Sequence, residues 1–193
     1  MKKLIVASGN KGKLKEIKAI LGDIYQVIPM AEAGFTAEVE ETGKTFYENA
    51  LIKATAVSTA LNCDALADDS GICVTALNGA PGVYSARYSG EHGNDKENNN
   101  LLLKNLEGAT DRSAKFVSSI VLVTKTGEVF SGYGETHGTI LFSEEGVNGF
   151  GYDPLFYSLD LQKSFGVATD EEKNKVSHRY RALMNLAEKL GGK

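Results

Sequence analysis

The sequence predicts an α/β fold: a mixed, twisted sheet with flanking helices. Three observations carry that prediction. The chain opens with a short apolar strand around Leu4-Ile5-Val6-Ala7, which runs through a glycine-bearing polar turn into the start of a helix. Apolar residues then recur at helical spacing at Phe46, Ala50, Ala54, Val57 and Leu61. The stretch from Ala114 to Phe142 is rich in β-branched residues and turns at Thr126-Gly127. Helices alternate with strands early in the chain and strands follow one another later, which indicates a mixed sheet.

Taken in order, the first helix spans about Lys11 to Leu21 and Tyr25-Gln26-Val27-Ile28 is a second short strand. Residues 30 to 41 form an acidic, irregular connection to a helix from about Lys44 to Leu61. Ala65-Leu66-Ala67 is a strand expected to end in Asp68-Asp69-Ser70-Gly71 and to resume at Ile72 to Thr75. Gly79 to Gly90 is a loop by its glycine and proline punctuation, and Asn94 to Leu106 is a polar helix with a leucine patch at 101–103. Ala114 to Lys125 is a long strand. Glu128 to Phe142 supplies one or two more, interrupted at Gly132, Gly134 and Gly138. Gly146 to Pro154 is a second glycine-dense loop. The last helix carries the stripe Val176, Tyr180, Leu183, Met184, Ala187 and Leu190, starts from a Thr169/Glu172 capping box, and ends at a Gly191-Gly192 C-cap.

Length and composition set limits on function. At 193 residues, without repeats or a proline-rich linker, the chain reads as one domain over 1–193. A net charge of −4 argues against coating a nucleic acid, which needs a basic face. No apolar run is long enough to span a membrane, and Leu4 to Ala7 is too short for the apolar region of a signal peptide. Cys63 and Cys73 match no metal spacing and read as reduced, packed thiols, so the chain reads as cytoplasmic.

Several segments carry groups suited to chemistry, and each also has a plainer reading. Ser8-Gly9-Asn10-Lys11-Gly12-Lys13 joins a strand to a helix N-terminus and aims backbone N–H groups at one spot, which suits a phosphate. It lacks the spacing of a Walker loop and could simply connect. Asp68 and Asp69 lie at a strand end, where α/β folds place ligands. Strand alternation lets only one of them face a site, leaving the other to cap the turn or orient its partner. Lys53 falls inside the apolar stripe of its helix, where it either snorkels or meets an anion. Glu38, Glu40 and Glu41 form a solvated face, or supply the hard oxygen ligands that Mg²⁺ takes from a protein. Phe150-Gly151-Tyr152-Asp153 offers an aromatic face between glycines, for stacking on a flat ligand or for packing. Lys173, Ser177, His178 and Arg179 precede the last helix. They spread around it at about 100° per residue and converge only if it starts or bends near Val176.

These motifs, in this order, resemble the inosine/xanthosine triphosphate pyrophosphatases. The segments that carry the likeness are Ser8–Lys13, Glu40-Glu41-Thr42-Gly43, Phe46 to Ala50, Lys53, Ala67 to Gly71, Pro81 to Gly90, Gly149 to Pro154 and Ser177 to Arg179, and they span essentially the whole chain. The resemblance implies an inosine triphosphatase-like fold with two lobes around a central cleft. It further implies a Mg²⁺-dependent homodimer that hydrolyses deaminated purine nucleoside triphosphates (ITP, dITP, XTP) to the monophosphate and pyrophosphate. By position, Asp69 corresponds to the catalytic proton acceptor and to a metal carboxylate, with Glu40 or Glu41 beside it. Ser8, Gly9, Asn10, Lys11, Gly12, Lys13 and Lys53 correspond to phosphate binding. Ser70, Phe150, Gly151, Tyr152, Asp153, Lys173, His178 and Arg179 correspond to substrate binding.

On this reading Asp69 takes a proton from the attacking water, Lys13 and Lys53 offset charge on the departing pyrophosphate, and Phe150 stacks on the purine. Arg179, His178 or backbone N–H groups read the 6-keto oxygen, at which adenine presents an amino donor. Three rivals are weighed against it. A related pyrophosphatase for pyrimidine or modified nucleotides is disfavoured by Phe150 and Ser177-His178-Arg179. A nucleotide sensor would bind without turnover. A haloacid-dehalogenase-type phosphatase would need an Asp-x-Asp spacing that is absent.

Overall fold

A computed structural model describes residues 2–191. Strand β1 (Lys2–Val6) leads into helix α1 (Lys11–Leu21), whose N-cap Asn10 accepts from the Lys13 amide at 3.0 Å. Strand β2 (Tyr25–Pro29) follows, and after an irregular connection helix α2 (Phe46–Leu61) starts from a capping box of Thr45 and Glu48. Strand β3 (Ala65–Val74) is continuous through Asp68-Asp69-Ser70-Gly71, so the expected interruption there is absent. A 3₁₀ helix at Gly82–Arg87 occupies part of the expected loop, and α3 (Asp95–Asn105) is capped by Asn94. Strand β4 (Ser113–Val123) turns tightly into β5 (Val129–Ile140), a single strand through all three glycines. Short β6 (Phe156–Ser158) and β7 (Lys163–Ser164) precede α4 (Asp170–Val176) and α5 (His178–Gly191).

The seven strands lie in the order β2-β1-β3-β4-β5-β6-β7. β1 pairs parallel with β2 and β3, while β6 pairs antiparallel with β5 and β7, so the sheet is mixed as expected. The parallel half follows from α1 and α2, each of which returns the chain to the same sheet end.

The chain divides into two compact units. The first comprises residues 1–69, 118–134 and 179–193; the second comprises 70–117 and 135–178. In the first unit, strand alternation splits the core in two. Leu4, Val6, Leu66 and Ile120 pack with Ile17 and Leu21 of α1 and Leu183 and Leu186 of α5. Their strand neighbours Ile5, Ala7, Ala65, Ala67 and Val121 pack with Ala50, Ala54 and Val57 of α2. Both faces of this half-sheet are therefore buried under helices. The second unit has its own core, in which Ile72, Phe116, Ile140, Phe156 and Phe165 pack with Leu102 and Leu106.

The C-terminal segment departs from expectation in an informative way. The capping box of Thr169 and Glu172 is present, but Ser177, extended at ψ 154°, separates α4 from α5. With the helix restarting at His178, the buried stripe of α5 is Ala182, Leu183 and Leu186, and Ala187 is exposed. The helix continues through Gly191; Gly192, the other half of the expected C-cap, lies outside the described residues. Among the described residues no helix is long and apolar enough to cross a membrane.

Candidate active site

Asp68 and Asp69 obey the strand rule: each points into a different face of the first unit's sheet. Asp68 shares the parity of Leu66 and meets α1 and α5. Its carboxylate pairs with Lys13 at 2.9 Å and Arg179 at 3.1 Å and accepts from the Ser118 hydroxyl at 2.5 Å. Arg179 also pairs with Glu16 of α1, and all three of Asp68, Arg179 and Glu16 are buried. Asp69 shares the parity of Ala67 and meets α2. It pairs with Lys53 at 2.9 Å and accepts from the Asn49 side chain at 3.3 Å.

The two faces are joined at one atom. The backbone carbonyl of Asp68 accepts from Lys53 at 3.1 Å and from Lys13 at 3.3 Å, so two ammonium groups meet there. Lys53 has a second anionic partner, besides Asp69, in Glu41 at 2.7 Å. The anion foreseen for Lys53 is thus a pair of carboxylates.

Charge balance sets the protonation states. Burial works to raise the Asp68 carboxyl, but Arg179 and Lys13 overcome it and hold the group well below the usual carboxylate range. For Asp69 burial prevails: Lys53 and Lys13 pull its affinity for a proton down, Glu41 pushes it up, and the carboxyl ends above its ordinary value. Burial opposes the charge on Lys53, yet Asp69 and Glu41 outweigh it and keep the ammonium protonated. Asp68 is a fixed negative charge. Asp69 is the carboxylate whose proton affinity burial raises.

The Ser8–Lys13 turn is held by its own side chains. Ser8 Oγ accepts from the Asn10 amide at 3.2 Å, and Asn10 in turn caps α1. Gly9, Asn10 and Lys11 are exposed, with Ser8, Gly12 and Lys13 half-buried. As residues of the first helical turn, Lys11 and Gly12 have amides without intrahelical acceptors, an arrangement of the kind that suits an anion.

The carboxylates around Lys53 are of the donor type a divalent cation takes. Glu41 and Asp69 place two carboxylates on one ammonium, an excess of negative charge made of hard oxygens. Mg²⁺ takes one or two protein carboxylates and keeps several waters. Glu40 is exposed, its neighbour Glu41 being the one that turns toward Lys53. Among the described residues no cluster of three His, Cys, Asp or Glu could hold an ion. Of the two neighbours expected beside Asp69, Glu41 is the one whose carboxylate lies on the same lysine as Asp69.

In the second unit the loop through Phe150 is held by its own carboxylate. Asp153, buried, accepts from the Phe150 amide at 2.8 Å and from the Lys173 ammonium at 2.5 Å. Lys173 lies 4.8 Å from the centre of the Phe150 ring and 5.5 Å from that of Phe165. Gly149 is required here: at φ +77° its missing Cβ leaves room for the Asp153 carboxylate. The Phe150 ring is half-buried, and Gly151 (φ +62°) donates to Asp95 at 2.8 Å. Ser70 is half-buried on β3.

Three of the expected binding residues have partners within the fold. Tyr152 is 5 % exposed and its hydroxyl donates to the Ser85 carbonyl at 2.7 Å, so it anchors the loop from below. His178 stacks on Phe116, centroids 4.8 Å apart. Arg179, next in the chain, belongs to the first unit with Asp68 and Glu16. The break at Ser177 does bend the segment as convergence requires, but Lys173, His178 and Arg179 then take three different partners.

A family model, the Ham1 family, matches residues 4–189. The chain belongs to the Ham1 family. Among Ham1 relatives, a dITP/XTP pyrophosphatase of Clostridium perfringens is 48% identical over 201 residues, covering 100% of this chain and 98% of that one. One of Geobacter sulfurreducens is 47% identical, covering 99% and 98%. The solved Ham1 protein of Staphylococcus aureus matches with a TM-score of 0.88 at 44% identity over 99% of each chain. The HAM1 protein of Coxiella burnetii matches at 0.88 and 40% over 100% of each.

Sequence reasoning missed three residues that hold this Ham1 site together: Glu16, Asn49 and Ser118. A signal was present for two of them. Glu16 abuts Ile17 in the buried phase of α1, and Asn49 sits four residues before Lys53 on the buried face of α2. Ser118, one of three serines in β4, carries no such mark.

Proposed function

We propose that this Ham1 chain is a nucleoside triphosphate pyrophosphatase that converts deaminated purine nucleoside triphosphates, dITP, XTP and ITP, to the monophosphate and pyrophosphate. The observation that carries the reading is the meeting of Lys13 and Lys53 at the Asp68 carbonyl, with Asp69 and Glu41 on the same Lys53 ammonium. Two cations suit a polyphosphate, and a carboxylate with raised proton affinity suits deprotonation of water. The pyrophosphatase names of its relatives agree with that chemistry.

In this reading Ser8 to Lys13 and the N-terminus of α1 bind phosphate oxygens. Asp69 accepts the proton of the water that attacks the α-phosphorus. Lys13 and Lys53 offset the charge that grows on the departing pyrophosphate. Asp69 with Glu41, or with its neighbour Glu40, would hold Mg²⁺, which when bound would supply charge neutralisation and a more acidic water. Phe150 stacks on the purine, with Lys173 and Asp153 fixing the ring, and Ser70 contributes a hydroxyl to the substrate. Donors from His178 or from loop amides meet the 6-keto oxygen. For Arg179 to read the purine it would have to exchange one of its two carboxylates for the ligand. The family resemblance leads us to propose also a homodimer in the cytoplasm acting on free nucleotides. The net charge of −4 speaks against nucleic acid as a partner.

The test is incubation with Mg²⁺ and, separately, dITP, ITP, XTP, GTP and ATP, with products resolved by ion-exchange chromatography. Monophosphate and pyrophosphate from the first three, with GTP and ATP largely intact, is the expected outcome. Release of orthophosphate with a diphosphate, or equal turnover of ATP, would overturn the reading.

A further inference from the structure

Asn49 is a side-chain amide sealed from water on the face of α2 that also buries Ala50, Ala54, Val57 and Ser58, and is 0 % exposed. A buried amide is retained only when its donor and acceptor are both used. Here both are used, and on different elements. Oδ1 accepts from the Gly43 amide at 2.8 Å, and the Nδ2 group donates to Asp69 Oδ2 at 3.3 Å.

The Gly43 contact belongs to a row. The amides of Lys44 and Thr45 both donate to Glu48 Oε2, at 2.6 and 3.1 Å. Three consecutive N–H groups are thus captured by side chains of the first turn of α2, two residues beyond Glu41. Gly43 itself is demanded by this packing, since a Cβ there would lie 2.6 Å from Asn49 Oδ1 and 2.7 Å from Glu48 Cβ. At the other end Lys53, four residues on and hence on the same helix face, donates to Asp69 Oδ1 at 2.9 Å and pairs with Glu41 at 2.7 Å. Each oxygen of Asp69 therefore has its own donor from one face of α2, one neutral and one cationic.

The geometry points to Asn49 as a positioning residue that locks the Asp69 carboxylate and the Glu41-bearing loop into one fixed arrangement. An amide is the group that does this. It offers an acceptor to the loop and a neutral donor to the carboxylate at once, where aspartate would add a second negative charge and leucine would leave both partners unpaired. The inference rests on the reading of Asp69 and Glu41 as the carboxylates that hold the divalent cation.

The test uses the full chain with Asn49→Leu and, as an independent perturbation of the same hydrogen bond from the loop side, Gly43→Ala. Mn²⁺ alone is titrated against each protein by electron paramagnetic resonance. kcat and KM for dITP are then measured at saturating Mg²⁺, with a thermal melt alongside. Groups that orient metal ligands typically cost about 10–100-fold in affinity or activity when removed. Both variants are expected to bind Mn²⁺ more weakly by that order and to lose kcat, with KM for dITP within about threefold of the parent. A lowered melting temperature with Mn²⁺ affinity and kcat unchanged would overturn the inference, because a merely structural amide behaves that way. Asp69→Asn separates the two levels. If it abolishes turnover while Asn49→Leu behaves as the parent, the inference alone fails. If both bind Mn²⁺ and turn over like the parent, the assignment of Asp69 fails with it.

Discussion

Arg179 donates to Asp68 at 3.1 Å, with side chains 1% and 0% exposed, and the pair fastens α5 to β3 at the strand position next to Asp69. Glu16 completes the arrangement from α1. Removing the guanidinium as Arg179→Ala leaves two carboxylates in a helix-covered face. Asp68 keeps Lys13 and Ser118, but Glu16 loses the cation it faces. Breaking a buried pair in this way costs about 3–5 kcal/mol. Urea unfolding is expected to report a loss of that size, whereas a loss below about 1 kcal/mol would place the pair with solvent-exposed ion pairs.

Tyr152 gives a prediction with a pH signature. Burial, with Tyr88 and Asp95 adding to it, pushes its phenol above the ordinary value, so the fold favours the neutral form. A raised pKa contributes stability that is complete below the unfolded value of about 10 and declines as pH rises past it. Tyr152→Phe removes the hydrogen bond to Ser85 and is expected to cost about 1–2 kcal/mol at neutral pH. The gap between variant and parent should then narrow above pH about 10, where ionisation begins to burden the parent. KM for dITP should not move, since the ring and hydroxyl are turned into the core. A rise in KM would mark Tyr152 as a substrate-binding residue.

Phe150 is the loop residue whose ring is still partly exposed, and it already carries the Lys173 ammonium within 4.8 Å. Stacking of a base on an aromatic ring is worth about 1–3 kcal/mol. Phe150→Ala should therefore raise KM for dITP by roughly tenfold or more, with kcat within about threefold. Steady-state kinetics read this directly, and an unchanged KM would remove the stacking role.

Which parts of this were legible in the sequence follows from what each signal depends on. Helices α1 and α2 and the capping box at Thr169 are local: a polar cap, an apolar period and a run of good helix formers suffice. Lys53 was legible because a charge inside an apolar stripe is anomalous wherever it occurs. The continuity of β3 was not. Asp68-Asp69-Ser70-Gly71 has turn chemistry, and it stays extended because Lys13, Lys53 and Arg179, distant in sequence, neutralise its two carboxylates. The division of labour between Glu40 and Glu41 was equally hidden, because it turns on which neighbour faces a lysine on another element. Arg179 read as a surface or ligand-facing cation because its partners lie 111 and 163 residues away.

The glycines of β5 show the same distinction and yield the last prediction. In sequence Gly132 and Gly138 look like breaks; in the fold the strand runs through both, because each admits a neighbour. A Cβ on Gly132 would collide with the Ala182 carbonyl and lie 2.9 Å from Leu186 Cβ, so α5 rests directly on the strand there. A Cβ on Gly138 would meet the Phe156 ring and the Tyr157 carbonyl. Backbone cannot rotate away as a side chain can, so Gly132→Ala forces α5 outward and is expected to cost about 1–3 kcal/mol. Gly191→Ala, where nothing lies within 4 Å, is the matched control and should fall within about 0.5 kcal/mol of the parent. Paired urea titrations decide the matter. Equal stability of the two variants would mean that Gly132 is a tolerated strand glycine and that α5 does not depend on close approach at that point.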